Sequence, residues 1–166
     1  MLAEHAIPEI DYLTVHIWPN NWDWVQQTDL ANTAARGETL TDQYIADHVV
    51  LARQLDKPLV IEEFGYPRDG GSNDPAVATT YKDRFYGRIY SAAIKDMQDG
   101  GPIAGTNFWA WNGEARAAHP DYRFRDGDRL YMGDPPHEPQ GWYGIFTGDS
   151  TIRLISDHAK AIAALR

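Results

Sequence analysis

Two adjacent glutamates, Glu62 and Glu63, have the residue type and the position that catalysis most often requires. They follow residues 58–61, in which Pro58 disfavours a helix and three apolar residues predict a short strand covered on both faces. In barrels of parallel strands, catalytic side chains lie at the carboxyl ends of the strands. Each glutamate is therefore a candidate catalytic residue, and the alternative is a carboxylate that caps a helix or forms a salt bridge.

An imidazole and an indole come together at the end of another predicted strand. Residues 10–18 are rich in β-branched and aromatic residues and stop at Pro19, which is typical of a strand. Because side chains alternate along a strand, His16 and Trp18 point to the same face. Trp22 lies in the loop that follows, where it either stacks on a ligand or packs in the core.

A third strand is predicted at residues 103–109, ending at Trp109 with Trp111 just beyond it. The segment 112–150 has little regular pattern and is rich in glycine, proline and aspartate. It is too long for an ordinary connection and is typical of a functional loop. Its aromatic residues are expected to wall a cleft: Tyr122, Phe124, Tyr131, Trp142 and Tyr143.

Helical patterns separate the predicted strands. Thr41 or Asp42 predicts the start of the first helix, and the pair Asp74-Pro75 predicts the start of a longer one. Ser156 predicts the start of a last helix. The predicted order is strand, helix, strand, helix, strand, long loop and helix, which indicates an α/β fold with parallel strands.

Three candidate residues, His16, Glu63 and Trp109, each stand at a predicted strand end and are spaced by 47 and 46 residues. With right-handed crossovers, strands at this spacing lie parallel in one sheet and end at one face. That face collects carboxylates and indoles, which suits sugars, because aromatic rings stack on C–H faces while polar groups bind hydroxyls. Cleavage of a glycosidic bond normally requires two carboxylates. Neighbours on a strand point to opposite faces, so Glu62 and Glu63 are not expected to form that pair.

The composition of the 166 residues excludes several classes of function. A formal net charge of -9 and a pI near 5.0 argue against nucleic-acid binding, because no basic stripe is present to neutralise phosphates. No apolar run approaches the roughly 18 residues that span a bilayer. The absence of cysteine excludes disulfides and thiolate metal sites. The length and the 43% of hydrophobic residues predict one domain with a real core.

Three motifs in order along the chain resemble glycoside hydrolase family 5, especially its bacterial β-mannanases. They are His-Ile-Trp-Pro-Asn-Asn-Trp at residues 16–22, Ile-Glu-Glu-Phe-Gly at residues 61–65 and Phe-Trp-Ala-Trp at residues 108–111. Residues 133–142 also resemble a late loop of the mannanases. The resemblance covers nearly the whole chain. It implies the sixth to eighth strands, the C-terminal portion of a (β/α)8 TIM barrel, an α/β fold that is incomplete on its own.

The resemblance also implies roles for individual residues. Glu63, which immediately precedes Phe-Gly, takes the place of the family's nucleophile, and His16 takes that of its active-site histidine. Trp109 corresponds to the tryptophan that forms the floor of the sugar subsite beside the cleaved bond. The other expected substrate-binding residues are Trp18, Trp22, Trp111 and Trp142.

One catalytic group of the family is missing from the sequence. The family's acid/base glutamate follows an asparagine, and this chain contains no Asn-Glu pair. The resemblance therefore implies that residues 1–166 are the C-terminal part of the single catalytic domain of a split, nicked or truncated retaining endo-β-1,4-mannanase. The implied partners are a β-mannan or related polysaccharide and the N-terminal half of the same enzyme as a separate chain. No cofactor, metal, nucleic acid or membrane partner is expected, and the family implies a secreted or periplasmic protein.

Other functions stay open on the sequence alone. A different family 5 β-glycanase, such as a cellulase, would share the same motifs, and a non-catalytic carbohydrate-binding fragment would use the same tryptophans. A glutamate at a strand end favours catalysis, since binding alone does not require it. The segment Asp126-Gly127-Asp128 is typical of calcium loops, but the bidentate glutamate that such a loop requires is not in register with it.

Overall fold

The structure is a computed structural model that describes residues 2–129, 132–134 and 136–165. Within these residues, three parallel strands form the main sheet in the order β1-β2-β3. The strands are β1 (Leu13–Ile17), β2 (Leu59–Phe64) and β3 (Ile103–Thr106). The helices are α1 (Leu2–His5), α2 (Leu30–Leu55), α3 (Thr80–Gln98) and α4 (Thr151–Ala163). Helix α2 connects β1 to β2 and α3 connects β2 to β3, so the predicted order of elements is confirmed.

Short elements occupy the connections between the main ones. Single turns of 3-10 helix lie at Gln27–Asp29, before α2, and at Asp69–Gly71, after β2. The long loop after β3 contains a parallel pair, β4 (Trp111–Gly113) and β5 (Ile145–Phe146), which the sequence pattern does not predict. The pair brings the two ends of the long loop together.

Helix α2 begins at Leu30, well before the predicted start at Thr41 or Asp42. Thr41 is buried in the middle of the helix, and its hydroxyl donates to the carbonyl of Gly37 at 2.8 Å. Gly37 is itself required by packing, because a Cβ there would lie 2.3 Å from a methyl carbon of Val25. The predicted start was wrong because a threonine that bonds back to the preceding turn has the same residue type as a cap.

Helices α3 and α4 also begin away from the predicted residues. Helix α3 begins at Thr80, because the carboxylate of Asp74 accepts from the backbone N–H of Ala76 at 2.9 Å and closes a separate turn. Helix α4 begins at Thr151, so Ser156 lies inside it and does not cap it. Asp74 was misassigned because aspartate favours turns as well as helix caps, and Ser156 because a serine can also lie inside a helix.

The core lies between one face of the main sheet and helices α2 and α3. Alternate strand residues are fully buried there: Leu13, Ile17, Leu59 and Ile61. Helix α3 meets them with Phe85, Tyr86, Ile89 and Ala93. The intervening strand residues Thr14 and Val60 are only half-buried. Within the described residues the helices cover one face of β2 and the other face is partly exposed, so the coverage of both faces that a complete barrel would give stays a prediction.

A buried ionic cluster joins the segment after β2 to the starts of α3 and α4. Its members are Arg68, Lys82, Asp83, Asp149, Ser150 and Thr151. Arg68 is fully buried, and its guanidinium donates to Asp149 at 2.6 Å and to the carbonyl of Val77 at 2.8 Å. The carboxylate of Asp83 accepts from the hydroxyls of Ser150 and Thr151.

Lys82 is the second buried cation of this ionic cluster. Its ammonium donates to the carbonyls of Tyr143 and Gly144 at 3.3 and 2.8 Å. Burial and, next, the charge of Arg68 lower the pKa of Lys82 to about 7, and the nearby carboxylate of Asp149 opposes the shift. Lys82 therefore holds the end of the long loop against α3, and its charge changes near neutral pH.

Candidate active site

The carboxyl end of β2 contains a β-bulge at the glutamate pair. In the pairing of β1 with β2, Val15 lies opposite Ile61, but the next residue, His16, lies opposite Glu63. Glu62 is therefore the extra residue of the bulge. Both glutamates are half-buried, while the residues on either side of the pair are fully buried. The regular alternation of strand side chains is interrupted at the point where the acids stand.

As a result, the two carboxylates share one neighbour. The imidazole of His16 lies 3.5 Å from Glu62 through Nε2 and 3.7 Å from Glu63 through Nδ1. Both distances exceed those of a good N–H···O hydrogen bond, so the carboxylates keep free lone pairs. The expectation that the two glutamates face opposite sides is wrong here, because the bulge lets both approach the same ring.

Four aromatic rings, which we call the aromatic wall, stand at the same end of the sheet: Trp18, Trp109, Trp142 and Tyr143. Trp18 contacts Tyr143 with ring centroids 4.9 Å apart, and it meets Trp109 edge to face at 6.5 Å. Trp142 stacks on Tyr143 at 4.5 Å. The structure thus brings together predicted residues from two strand ends and from the long loop.

Hydrogen bonds fix the aromatic wall at both ends. The backbone N–H of Trp109 donates to the carbonyl of Phe64 at 2.9 Å, which continues the pairing with β2 beyond the last residue of β3. On the loop side, the indole N–H of Trp142 donates to the side chain of Gln27 at 2.6 Å. The wall is therefore anchored to the main sheet and to the segment that precedes α2.

Gly65 allows the aromatic wall to approach β2 closely. A Cβ at Gly65 would lie 2.5 Å from a ring carbon of Trp18 and 3.0 Å from the Cβ of Tyr143. Any side chain there would push these residues away. The glycine that ends the Ile-Glu-Glu-Phe-Gly motif is thus required by the ring that packs against it.

A third carboxylate, Glu138, lies in the same region and was not among the predicted site residues. It is half-buried, and neither its Oε2 nor the buried indole Nε1 of Trp109 makes a hydrogen bond with a described residue. Burial raises the pKa of Glu138, and the charges of Asp134 and Glu63 raise it further. The indole N–H of Trp109, which is close to the carboxylate but outside good hydrogen-bond geometry, opposes this shift. Glu138 is therefore a neighbour of both the aromatic wall and the strand-end acid.

Sequence patterns give no direct signal for Glu138. It lies in an irregular segment, where neither strand alternation nor helical spacing assigns a direction to its side chain. Only the resemblance of residues 133–142 to a mannanase loop points to this stretch. Within it, Pro135 lies outside the described residues.

Two other predicted residues, Trp22 and Trp111, are not part of the aromatic wall. Trp22 packs on Trp24 and Tyr44, with ring centroids 4.8 and 5.3 Å apart, in a separate aromatic cluster beside α2. Trp111 is 57% exposed on β4. Their roles in substrate binding stay predictions. Tyr131, a predicted cleft residue, lies outside the described residues.

The arrangement at the bulge suits attack by a carboxylate on an electrophilic carbon. Glu63 keeps free lone pairs, and the adjacent aromatic wall offers the flat surface on which a sugar ring stacks. In the part of the chain that the structure describes, no three potential metal ligands come together, and no helix is long and apolar enough to cross a membrane.

Comparison of the sequence with known proteins gives a consistent set of relatives. The family described as glycoside hydrolase family 5 β-mannosidase-like matches residues 1–166. Mannan endo-1,4-beta-mannosidase 1 of Oryza sativa subsp. japonica is 30% identical over 99% of this chain and 34% of that protein. The protein of the same name from Solanum lycopersicum is 29% identical over the same shares. The chain thus spans about a third of the length of these curated relatives.

Solved structures resemble this one over nearly its whole length. A glycoside hydrolase family 5 mannosidase from Rhizomucor miehei gives a TM-score of 0.87 at 30% identity, over 97% of this chain and 40% of that chain. A mutant of a family 5 mannosidase from the same organism, in complex with mannosyl-fructose, gives a TM-score of 0.88 at 30% identity, over 97% of this chain and 39% of that chain. These neighbours are (β/α)8 barrels, so the three parallel strands and their helices form part of such a barrel and the predicted fold class is confirmed.

Proposed function

Because the chain belongs to the β-mannosidase-like group of glycoside hydrolase family 5, we propose that it supplies part of the active site of a retaining glycosidase that cleaves internal β-1,4-mannosidic bonds. The observation that carries this proposal is the position of Glu63, which is half-buried on the bulge of β2, next to His16, at the end of the sheet where the aromatic wall lies. Binding a sugar does not require a carboxylate there, whereas covalent catalysis does.

In the proposed reaction, Glu63 is the nucleophile. A carboxylate oxygen of Glu63 attacks the anomeric carbon, the bond to the leaving-group oxygen breaks, and that oxygen takes a proton from a general acid. Water, deprotonated by the same acid/base residue, then attacks the anomeric carbon and releases Glu63, so the configuration is retained. The ring of His16, 3.7 Å away, bounds one side of this carboxylate and limits the directions in which it can turn.

The general acid is proposed to lie outside this chain. The chain has no Asn-Glu pair, and Glu62 sits on the same bulge as Glu63 and not across a substrate from it. Among the described strands, β1 and β3 each pair only with β2 in the main sheet, so both edges are open to further strands. The N-terminal half of the same enzyme, as a separate chain, would cover these edges and supply the acid.

The proposed substrate is β-mannan or a related polysaccharide. The relatives from rice and tomato are named as mannan endo-1,4-beta-mannosidases, and one solved mannosidase contains mannosyl-fructose. The aromatic wall offers stacking for a neutral pyranose, which the net charge of -9 does not repel. Glu138, half-buried beside Trp109, places a further carboxylate near the aromatic wall.

Covalent trapping tests the role of Glu63. The experiments use the intact protein, meaning this chain together with the proposed N-terminal half. In it, 2-deoxy-2-fluoro-β-mannosyl fluoride is expected to form a stable glycosyl-enzyme, because its leaving group departs easily while the fluorine slows hydrolysis of the intermediate. Peptide mass spectrometry is expected to find the sugar on Glu63. Glu62→Gln is the matched control and should label normally. Labelling of Glu62 in its place, or an intact protein without activity on mannan, would contradict the proposal.

The partner chain requires a separate test. Native mass spectrometry of an active sample is expected to show a second polypeptide bound to this one, since the open edges of the sheet favour pairing. An active sample that contains only this 166-residue chain would contradict both the partner and the external general acid.

A further inference from the structure

Lys82, the buried cation of α3, takes no part in the proposed reaction but contacts the backbone of the aromatic wall. Its side chain is fully buried. Both hydrogen bonds that it makes with described residues go to carbonyls at the end of the long loop, those of Tyr143 at 3.3 Å and Gly144 at 2.8 Å. Because Tyr143 belongs to the aromatic wall, Lys82 is connected to the candidate active site through one residue.

A lysine is an unusual choice for a buried position that only has to be filled. Removing an ammonium from water is costly, and an apolar side chain of similar length would avoid that cost. An ammonium carries three N–H donors, whereas an apolar side chain carries none. The role of Lys82 therefore depends on donation, and its acceptors lie on the backbone of the loop.

Other hydrogen bonds hold the same stretch of the loop through its N–H groups. The N–H of Gly144 donates to the carbonyl of Gly141 at 3.0 Å, and the N–H of Ile145 donates to the carbonyl of Ala110 at 2.9 Å. These bonds lie within the long loop and its strand pair, whereas the bonds of Lys82 connect the stretch to α3. Lys82 is thus a link between the end of the loop and the helical layer.

Tyr143 is a spacer between two rings of the aromatic wall. Its ring lies 4.9 Å from that of Trp18 and 4.5 Å from that of Trp142, measured between centroids. Tyr143 is 2% exposed, whereas Trp18 and Trp142 are half-buried and keep some ring surface accessible. Its hydroxyl donates to the side chain of Asn21. The position of the Tyr143 backbone therefore sets where the two accessible indoles lie.

We propose that Lys82 is a positioning residue, which fixes the spacing of the aromatic wall by holding the backbone of Tyr143 and Gly144 against α3. Lys82 touches neither the substrate nor a reacting group in this role. Its consequence for sugar affinity rests on the proposed function, in which the aromatic wall binds the sugar.

The charge of Lys82 gives this role a pH dependence. Burial and, next, the charge of Arg68 on the segment after β2 lower the pKa of Lys82 to about 7, while Asp149, before α4, and Asp83, on α3, oppose the shift. The charged ammonium donates stronger hydrogen bonds to carbonyls than the neutral amine does. Sugar affinity should therefore fall as pH rises through about 7, although loss of the proton relieves the cost of burial and favours the folded state.

Indole signals test the positioning role without a sugar. The intact protein is labelled with 15N-tryptophan, and the indole N–H signals of Trp18 and Trp142 are followed by NMR as the pH is raised. Both should shift with a midpoint near pH 7, and Lys82→Met should abolish that midpoint. The matched control is Lys95→Met, which removes an exposed lysine of the same helix and should keep it. His16 is present in all these proteins, so any titration of its own cancels in the comparison.

Binding and kinetics test the consequence for the sugar. In the intact protein with Glu63→Ala, which prevents hydrolysis, Lys82→Met should weaken mannotriose binding roughly threefold at pH 6, and the difference should shrink by pH 8. With Glu63 present, the variant should raise the KM for mannan and change kcat by less than about twofold, because the aromatic wall binds the substrate and does not react. Lys95→Met should change neither constant.

A purely structural role for Lys82 predicts different results. Indole signals that titrate alike in the parent and in Lys82→Met would overturn the inference, as would a variant that loses stability and keeps the parent's affinity and KM. If Lys82→Met fails to fold, the parent decides, since indole signals without a midpoint near pH 7 overturn the inference on their own. Indole signals that respond to Lys82 but not to mannotriose would support the positioning role and contradict the proposed function.

Discussion

In the buried ionic cluster, Arg68 donates to Asp149 at 2.6 Å, and both side chains are almost fully buried. In the candidate active site, by contrast, His16 lies 3.5 Å from Glu62 and 3.7 Å from Glu63. The first pair is a short, charge-assisted hydrogen bond between complementary groups. The second group is partly open to solvent and leaves its lone pairs unused.

The difference separates polar groups that hold the fold from polar groups that are available to a ligand. A buried charge without a partner costs several kcal/mol, so the buried charge of Arg68 requires that of Asp149. A half-exposed carboxylate is solvated by water and can stay unpaired at low cost. We therefore expect changes to the pair of Arg68 and Asp149 to alter stability and changes at the bulge to alter activity.

The largest expected effect is the loss of activity in Glu63→Ala. Because the variant lacks the proposed nucleophile, the rate of mannan hydrolysis by the intact protein should fall by at least about a thousandfold. The midpoint of thermal unfolding should change little, since Glu63 makes no close hydrogen bond with a described side chain. Glu62→Ala, the adjacent control, should retain far more activity. A Glu63→Ala protein with normal turnover would contradict the expectation that changes at the bulge alter activity.

The next effect is on stability, in Arg68→Met. Removal of the guanidinium leaves Asp149 buried without its partner, so the free energy of unfolding should fall by about 3–5 kcal/mol in urea denaturation. The control is Arg88→Met, which breaks the exposed pair with Asp42 at 2.7 Å and should cost less than about 1 kcal/mol. Equal losses in the two variants would show that burial of the pair does not matter.

A smaller effect is expected when one ring is removed from the aromatic wall. Trp109→Ala should weaken binding of mannotriose to the intact protein roughly tenfold, measured by calorimetry, because a stacking surface is lost. Trp24→Ala removes an indole from the separate aromatic cluster beside α2, so it should lower stability and leave affinity unchanged. The reverse outcome for the two tryptophans would place the sugar in the other cluster.

The last effect is a pH dependence that arises from Lys82. Its pKa of about 7 in the folded state lies below the ordinary value of 10.5, so between these pH values the unfolded chain binds more protons than the folded one. The contribution of Lys82 to the free energy of unfolding therefore increases as pH rises from about 7 towards 10.5. Lys82→Met cannot titrate. Urea unfolding at pH 6, 8 and 9.5 should show the parent gaining stability relative to this variant, and a constant difference would contradict the shift.

The order of elements and the convergence of the strand ends could be predicted from the sequence. Spacing, apolar runs and the right-handed crossover rule are sufficient to bring His16, Glu63 and Trp109 to one face. Helix starts were less predictable, since Thr41 and Asp74 have the residue types of caps but form other local hydrogen bonds.

Two features of the site depend on tertiary structure and could not be predicted. The bulge at Glu62 is set by the register of β2 against β1, and no residue type marks it in advance. Glu138 reaches Trp109 only because the irregular loop folds back over the sheet. The same holds for the separation of Trp22 from the other tryptophans, which results from its packing on Tyr44 of α2.

Gly65 has a consequence for how this cleft can diversify. The absence of a side chain at Gly65 sets the distance between β2 and the ring of Trp18. Gly65 lies two positions after Glu63, so it affects the width of the cleft without taking part in the reaction. A larger residue there would displace the aromatic wall and leave Glu63, the proposed nucleophile, in place. The fit of a ligand and the proposed chemical step therefore depend on different positions of one short motif. A substitution at Gly65 would change the fit and keep the carboxylate of Glu63.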